Sequence, residues 1–246
     1  EPLPAPPALQ NIGPVALTQQ YSFLHNATKI GKRHRSVMTR SMEYYGQNFG
    51  FILYHHDLKG PYEASKLFID GLADRAYVYV NGQLRGMVYR NDKKKFVSIE
   101  ALPDGGSLDI LVEAMGRVNY GPELHDRKGV RQIRLNNQVL FNWDVYTLPL
   151  DNIDALDYSG SEDFPAFLKG RFTTNSQADC FVHLKGFTKG YVFINGFNLG
   201  RYWKIGPQKS LYVPGTILKQ ENEIIVLELE GCRANEVEIT DYHDIG

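Results

Sequence analysis

The sequence contains too little cysteine for a fold built on disulfide bridges. Cys180 and Cys232 are the only two cysteines among 246 residues, whereas small disulfide-built domains carry many more. Both lie in the second half of the chain, so one bridge and two free thiols both fit the sequence, and we favour two buried free thiols. The cysteines therefore do not identify the cellular compartment.

Long apolar runs and a strong net charge are also missing. No stretch approaches the roughly 20 apolar residues of a membrane-spanning helix. With 27 Lys and Arg against 28 Asp and Glu, the formal net charge is −1, so no general attraction to nucleic acid or to a lipid surface is expected. We therefore expect neither a nucleic acid nor a membrane as a partner of this globular chain.

Sustained helical periodicity is hard to find as well. Only residues 151–158, DNIDALDY, suggest one helical turn. Short runs rich in β-branched and aromatic residues alternate with turn residues, as in QNFGFILYHHDL (47–58) and DCFVHLKGF (180–188), which is typical of strands. This pattern predicts an all-β fold and argues against a (β/α)8 barrel, whose eight helices would fill a chain of this size.

One motif occurs twice. AYVYVNGQLRGMVY (76–89) and GYVFINGFNLGRYW (190–203) each place an Asn-Gly pair after an apolar, aromatic run. Asn-Gly favours a two-residue type I′ turn, because both turn residues need positive φ. Each motif therefore predicts a tight β-hairpin.

The register of these hairpins follows from the turn. If each turn has only two residues, Tyr77 pairs with Gly86 and Tyr191 pairs with Gly200. Each tyrosine ring would then cover the bare backbone of a strand glycine, which explains the glycines without a ligand.

The two copies lie about 115 residues apart. Asn195 follows Asn81 by 114 residues (195 − 81). A period this long exceeds that of a solenoid repeat and fits a duplicated β-sandwich of about 100 residues. The prediction is two tandem sandwiches, over residues 31–150 and 151–246.

The first 30 residues fit neither sandwich. EPLPAPPAL (1–9) carries four prolines, which favour an extended stretch that cannot pair as a central strand. Residues 10–28 could form a strand that docks onto either sandwich. Residues 1–30 are therefore predicted to be a proline-rich linker and docking strand, and we interpret the chain as the C-terminal part of a longer protein.

Several ordered motifs together resemble one enzyme family. These motifs include MEYYGQNFGFILY (42–54), LFNWDVYTLPLD (140–151), AFLKGRF (166–172) and KGYVFINGFNLGRYW, which starts at residue 189. These motifs are similar to the C-terminal β-domains of β-galactosidases of glycoside hydrolase family 35. The resemblance implies two jelly-roll β-sandwiches similar to galactose-binding domains.

The resemblance also implies a function. Enzymes of this family remove terminal β-linked galactose with retention of configuration, and two glutamates about 5 Å apart do the chemistry. Both glutamates lie on an N-terminal (β/α)8 barrel, which nothing in this sequence resembles, so no catalytic residue and no cofactor is assigned. The expected partners are that barrel and a galactoside or polysaccharide, and the expected location is secreted or periplasmic.

The resulting interpretation is a non-catalytic part of a β-galactosidase that stabilises the barrel and borders its substrate cleft. A carbohydrate-binding module that works alone is the alternative interpretation.

Asn198, Arg201 and Trp203 form the first candidate sugar-binding group. Proteins hold sugars by stacking aromatic rings on their C–H faces and by hydrogen-bonding their hydroxyl groups with polar side chains. However, Trp203 stands where the first copy has Tyr89, so packing in the core or at a domain interface is the alternative.

The loop GRVNYG (116–121) is the second candidate. It interrupts the strand pattern and presents Arg117, Asn119 and Tyr120 on a turn, where functional residues tend to lie. In the parent enzyme this loop could border the substrate cleft, and a structural contact with the barrel is the alternative.

A metal site is not predicted. His55 and Asp57 lie two residues apart, so they share one face of a strand, but an ordinary surface pair is the favoured interpretation. No His and Cys spacing matches a zinc site.

Overall fold

A computed structural model describes residues 8–157 and 163–246. Most of the proline-rich opening, and residues 158–162 near the predicted domain boundary, lie outside the described residues. The described residues form one α-helix, α1 (Phe23–Ile30), four short 3₁₀ turns and eighteen β-strands, so the predicted all-β class is confirmed. The strands are β1 (Gly13–Ser22), β2 (Lys32–Ser36), β3 (Phe51–Leu58), β4 (Ser65–Asp70), β5 (Arg75–Val80), β6 (Gln83–Tyr89), β7 (Phe96–Ile99), β8 (Gly106–Glu113), β9 (Gln132–Leu135), β10 (Gln138–Val139), β11 (Trp143–Leu148), β12 (Ala166–Thr173), β13 (Cys180–His183), β14 (Lys189–Ile194), β15 (Phe197–Trp203), β16 (Ser210–Val213), β17 (Glu221–Glu228) and β18 (Glu236–Thr240).

The strands group into two compact units. Residues 27–155 form the first, which we call the continuous sandwich. Residues 8–26 and 156–246 together form the second, which we call the split sandwich. The N-terminal strand, whose partner the sequence left open, therefore belongs to the sandwich at the other end of the chain.

Two sheets enclose the core of the continuous sandwich. Their strand orders are β2-β11-β3-β8-β5-β6 and β10-β9-β4-β7. The larger sheet contributes Ile52 and Val78 to the core, and the smaller contributes Leu67 and Ile133, each with at most 1% of its surface exposed. These side chains alternate along their strands, because successive residues of a strand point to opposite faces.

A single strand joins the two layers of the split sandwich. Its strand order is β15-β14-β17-β12-β1-β18-β13-β16. Residues 13–16 of β1 pair with β18, residues 17–22 pair with β12, and the register shifts between Leu17 and Gln19. The shift lets β1 bend from one layer into the other. Gly170 permits this approach, since a Cβ there would lie 2.4 Å from the carbonyl oxygen of Ala16.

The two sandwiches share one topology with a different chain order. The strands β3, β4, β5, β6, β7, β8 and β9 have the counterparts β12, β13, β14, β15, β16, β17 and β18 at the same sheet positions. Among the remaining strands, β10 and β11 of the continuous sandwich correspond to β1 of the split one, and the edge strand β2 has no counterpart among the described strands. The strand segments that close the sandwich therefore come last along the chain in the continuous sandwich, as β10 and β11, and first in the split sandwich, as β1.

Both Asn-Gly pairs form the predicted tight turns. Asn81 and Gly82 have φ of 51° and 74°, and Asn195 and Gly196 have φ of 51° and 81°. These positive values are those that a type I′ turn needs.

The predicted pairing of Tyr77 with Gly86 is wrong, and so is that of Tyr191 with Gly200. A bulge in β6 and another in β15 shift the register, so that Val78 pairs with Gly86 and Val192 pairs with Gly200. The two positions require glycine for different reasons. A Cβ at Gly86 would lie 3.1 Å from the side chain of Val97, whereas Gly200 has a φ of 114°, which favours glycine.

The helix α1 was not predicted from the sequence. Phe23 and Ala27 are fully buried on one face, and the Ser22 hydroxyl accepts a hydrogen bond from the His25 N–H at 3.4 Å. The helix spacing and this N-cap serine are local signals, but they extend over only two turns. No helix among the described residues is long and apolar enough to cross a membrane.

Both cysteines are free thiols, as favoured from the sequence. Cys180 is buried, and Cys232 is partly buried. Burial raises the pKa of the Cys180 thiol to about 12 and that of Cys232 to about 11. Since the thiolate is the reactive form, both cysteines are expected to be inert.

The position of β1 leads to a folding prediction. A fragment of residues 156–246 should not unfold cooperatively, because without β1 the neighbouring β12 and β18 are both open sheet edges. Addition of a peptide of residues 8–26 should restore a cooperative transition in thermal unfolding followed by circular dichroism.

A fragment of residues 27–155 is the matched control and should unfold cooperatively without any peptide. In the whole chain, Gly170→Ala should lower the unfolding midpoint of the split sandwich only. Cooperative unfolding of residues 156–246 by themselves would contradict the role given to β1.

Candidate functional site

The split sandwich contains a pocket of about 380 Å³, a volume within the range of about 300–1,000 Å³ typical of small-molecule sites. It lies where β13, β15 and β18 end, and the C-terminal residues close one side. Its lining residues are His183, Leu184, Lys185, Gly186, Phe187, Tyr202, Trp203, Lys204, Gln208, Lys209, Glu238, Tyr242 and Asp244.

The ring of Tyr242 lines this pocket beside His183 of β13. Tyr242 is 53% exposed, and its ring centroid lies 4.7 Å from that of His183. His183 Nε2 also lies 2.8 Å from Thr240 Oγ1 and 3.0 Å from the Tyr242 carbonyl oxygen. These contacts hold the backbone of Tyr242 in place, while its ring remains accessible to a ligand.

Trp203 is supported from beneath by a buried cation. The Lys189 Nζ lies 4.3 Å from the centre of the Trp203 ring, and Lys189 has no exposed surface. The continuous sandwich repeats this arrangement, with the Arg75 guanidinium 4.6 Å from the centre of the Tyr89 ring. Trp203 therefore has the packing role of its counterpart Tyr89 and also lines the pocket.

A buried carboxylate completes this support. Glu228 accepts hydrogen bonds from the Thr188 N–H at 2.8 Å and the Tyr202 hydroxyl at 3.0 Å. Burial raises the pKa of the Glu228 carboxyl above its ordinary value. The Tyr202 hydroxyl is used inside this network, so Tyr202 serves to position the strand that carries Trp203.

Charged and polar groups surround the pocket entrance. Glu238 and Lys185 are exposed, and the Asp244 carboxylate accepts the Gly246 N–H at 2.9 Å. The Lys209 ammonium donates to the carbonyl oxygens of Lys204 and Gly206 at 2.8 and 2.6 Å. Rings flanked by carboxylates and ammonium groups can stack on a sugar and hydrogen-bond its hydroxyl groups.

The structure separates the members of the first sequence candidate. Arg201 lies beside Trp203, with its guanidinium carbon 5.9 Å from the ring centre, but it does not line the pocket. Asn198 Oδ1 accepts the Gly200 N–H at 2.9 Å, so this side chain stabilises the bulge near the hairpin turn. Only Trp203 of the three lines the pocket.

Sequence reasoning missed most of the pocket. Tyr242, Glu238 and His183 lie up to about 60 residues from one another in the chain, and no local motif links them. The pairing of β13 with β18 brings them together.

The second sequence candidate belongs to the continuous sandwich. Arg117 donates to the Glu43 carboxylate at 2.5 Å and to the Asn48 carbonyl oxygen at 2.9 Å, so it anchors its loop. Burial would raise the pKa of Glu43, but hydrogen bonds from the Lys128 N–H and from Arg117 hold the pKa below its usual value. Tyr120 is 89% exposed, and Asn119 is exposed too.

His55 contacts both Asp57 and Asp109, and Asp109 has the larger effect on the pKa of His55. His55 Nδ1 lies 2.8 Å from Asp109 Oδ1, and His55 Nε2 lies 3.4 Å from Asp57 Oδ1. The hydrogen bond to Asp109 is the main cause of the raised pKa of His55. In the part of the chain that the structure describes, no group of three or more His, Cys, Asp or Glu could hold a metal ion.

The fold and the pocket define a protein of two tandem galactose-binding-like β-sandwiches. Comparison with protein families agrees with this class. The model of the first all-beta domain of beta-galactosidase matches residues 39–149, and the model of the beta-galactosidase galactose-binding domain matches residues 165–223.

Known proteins extend the match to most of the chain. The beta-galactosidase of Bos taurus is 39% identical over 75% of this chain and 32% of its own length. The beta-galactosidase-1-like protein of Mus musculus is 36% identical over 95% of this chain and 39% of its own. Beta-galactosidase 8 of Oryza sativa subsp. japonica is 33% identical over 85% of this chain and 38% of its own length.

This chain belongs to the β-galactosidase family, and it carries the non-catalytic β-domains of that family. The resemblance inferred from the sequence motifs is confirmed. The chain spans between about a third and two fifths of the length of the relatives compared above.

The His55–Asp109 contact predicts a pH dependence. The pKa of His55 is raised above 6.5 in the folded state, so its contribution to stability is complete below about pH 6.5 and is lost as the pH rises through the raised value. Asp109→Asn should lower the pKa of His55, measured by NMR titration of the imidazole ring, and weaken this pH dependence.

Asp57→Asn is the control, because the Asp57 side chain is 80% exposed and is screened by water. It should change the pKa of His55 less than Asp109→Asn does. An unchanged His55 titration in Asp109→Asn would show that the hydrogen bond does not set the pKa.

Proposed function

We propose that this chain is the non-catalytic part of a β-galactosidase of glycoside hydrolase family 35, an exo-acting, retaining enzyme that releases terminal β-linked galactose. In that enzyme the two sandwiches stabilise a (β/α)8 barrel, which carries both catalytic glutamates, and border its substrate cleft. The observation that carries the proposal is the match of both sandwiches to non-catalytic domains of β-galactosidases that are more than twice as long.

The acids of the pocket support a binding role over hydrolysis. A retaining glycosidase needs one carboxylic acid that its surroundings keep protonated. Glu238 and Asp244 are both exposed to solvent, whereas such an acid is typically enclosed in an apolar surrounding. Such carboxylates are suited to accept hydrogen bonds from sugar hydroxyl groups.

The loop of residues 116–121 supports a role beside the cleft. Arg117 anchors it through Glu43, which leaves Tyr120 projecting with 89% of its surface exposed. An amphipathic ring held on an anchored loop is suited to contact a sugar or the barrel. We propose Asn119 and Tyr120 for that contact and Arg117 for its positioning.

The isolated chain should not hydrolyse galactosides. Release of nitrophenol from a nitrophenyl β-galactoside by purified chain 1–246 should equal that of the Glu238→Gln, Asp244→Asn double variant. The full-length protein encoded by the same gene is the positive control and should be active. Activity of chain 1–246 that the double variant lacks would refute the proposal.

A second candidate function is galactoside binding by the split sandwich itself. The pocket with Trp203 and Tyr242 favours it, because the galactose-binding domain model covers residues 165–223, which include Trp203 and His183. As a module that works alone, the chain would bind galactosides with a dissociation constant of roughly millimolar or lower, which corresponds to about 4 kcal/mol or more.

This binding has a direct test. Tyr242→Ala should weaken galactose binding at least about fivefold, because a stacking ring contributes about 1 kcal/mol or more. Binding is measured by NMR titration, and Phe197→Ala is the matched control, since Phe197 is 49% exposed outside the pocket. No saturable binding, or an equal loss of affinity in both variants, would rule out galactoside binding at this pocket, and the scaffold role would be the one proposed function that remains.

We also propose a secreted or periplasmic location, since an enzyme that degrades galactosides of polysaccharides would work there. Fractionation of cells that express the full-length protein is the test.

A further inference from the structure

A second large groove lies in the continuous sandwich, and its lining is rich in arginine. Its volume is about 620 Å³, which exceeds that of the pocket in the split sandwich. Residues 38–41, 71–73, 126–127 and 130–131 form most of its walls. The charged residues among its lining are Arg40, Arg90, Asp126, Arg127 and Arg131.

The one acid of the groove is already neutralised. Asp126 accepts hydrogen bonds from Arg90 at 2.6 Å and from Lys128 at 3.1 Å. The same two cations also pair with the buried Asp74, at 2.6 and 2.8 Å. Two cations and two carboxylates therefore balance one another beneath the groove.

Three guanidinium groups remain above this balanced network. Arg40, Arg127 and Arg131 are exposed, and none of them pairs with a carboxylate within residues 8–157 and 163–246. The groove thus holds three unbalanced positive charges in a chain whose net charge is −1. Guanidinium groups bind carboxylate and sulfate groups with paired hydrogen bonds.

The walls that carry these arginines are held by specific contacts. The Thr39 hydroxyl donates to the Arg131 carbonyl oxygen at 2.9 Å, and the buried Tyr54 hydroxyl donates to the Arg40 carbonyl oxygen at 2.7 Å. Gly71 lets the walls meet, because a Cβ there would lie 2.7 Å from Arg131 Cβ. The groove is therefore preformed, which lowers the entropy cost of binding.

The groove also offers an aromatic face. Tyr44 is 63% exposed and lines the groove, and the Arg40 guanidinium carbon lies 5.2 Å from its ring centre. A ring on which a sugar can stack, beside a cation that binds an acidic group, suits a saccharide that carries a negative charge. An inorganic anion would use the arginines alone.

We propose that this groove binds an anionic saccharide, with the sugar ring against Tyr44 and its carboxylate or sulfate group held by Arg40, Arg127 and Arg131. The groove would let the protein engage acidic glycans at a place distinct from the pocket beside Trp203. The proposal goes beyond the proposed function and does not depend on it.

The test compares ligands that differ in charge. Chain 1–246 is titrated by NMR or calorimetry with galactose, galacturonic acid, sulfated galactose, sodium sulfate and an acidic peptide. At least one of the two acidic sugars should bind at least about tenfold more tightly than galactose and sodium sulfate, and salt should weaken its binding, since exposed charges are screened. Tighter binding by galacturonic acid or by sulfated galactose would identify the preferred acidic group.

Three variants locate the site. Arg40→Gln and Arg131→Gln should each weaken binding of the preferred acidic sugar at least about fivefold, because each removes a charge-assisted contact. Arg171→Gln, at an exposed arginine of β12, is the matched control and should have no effect. Thermal unfolding midpoints of all three variants should equal that of the parent chain.

Three results would overturn the proposal. They are binding of galactose as tightly as both acidic sugars, equal effects of Arg171→Gln and Arg131→Gln, and binding of sodium sulfate or of the acidic peptide at least as tight as that of the tighter-binding acidic sugar. The last result would assign the groove to inorganic anions or to a protein segment.

Discussion

The split sandwich closes around a strand from the opposite end of the chain, and among the described strands β1 is the one whose backbone pairs with both layers. The hydrogen bonds of β1 satisfy the inner edges of β12 and β18 at once, so one segment links both layers and contributes Val15 and Leu17 to the core. Because unpaired backbone groups at a buried edge cost free energy, this closure is the condition for the core and, through β13 and β18, for the pocket.

Both sandwiches also share a cation–π contact. At the end of each Asn-Gly hairpin, a buried cation of the first strand lies against an aromatic ring of the second, as in Lys189 with Trp203 and Arg75 with Tyr89. A cation that stacks on an aromatic face keeps part of the electrostatic stabilisation that it loses on leaving water. Duplication therefore preserved the support, while the ring in the split sandwich also came to line a pocket.

The two grooves differ in charge, and this difference separates their chemistry. The pocket of the split sandwich combines Trp203 and Tyr242 with exposed acids and lysines, which suits the hydroxyl groups of a neutral sugar. The groove of the continuous sandwich carries an excess of arginine over a balanced ion network, which suits an acidic group. The two proposed sites would thus give one chain two carbohydrate chemistries on two copies of one fold.

The sequence by itself determined the features that depend on neighbouring residues: the strands, the Asn-Gly turns with positive φ at Asn81 and Asn195, the duplication and the family. Tertiary structure decided what depends on distant partners. It set the bulges that moved Gly86 and Gly200 out of the predicted register, placed β1 in the second sandwich, and brought Tyr242 to Trp203. The physical reason is that local backbone preferences are written in adjacent residues, whereas register, closure and pocket lining follow from the packing of strands far apart in the chain.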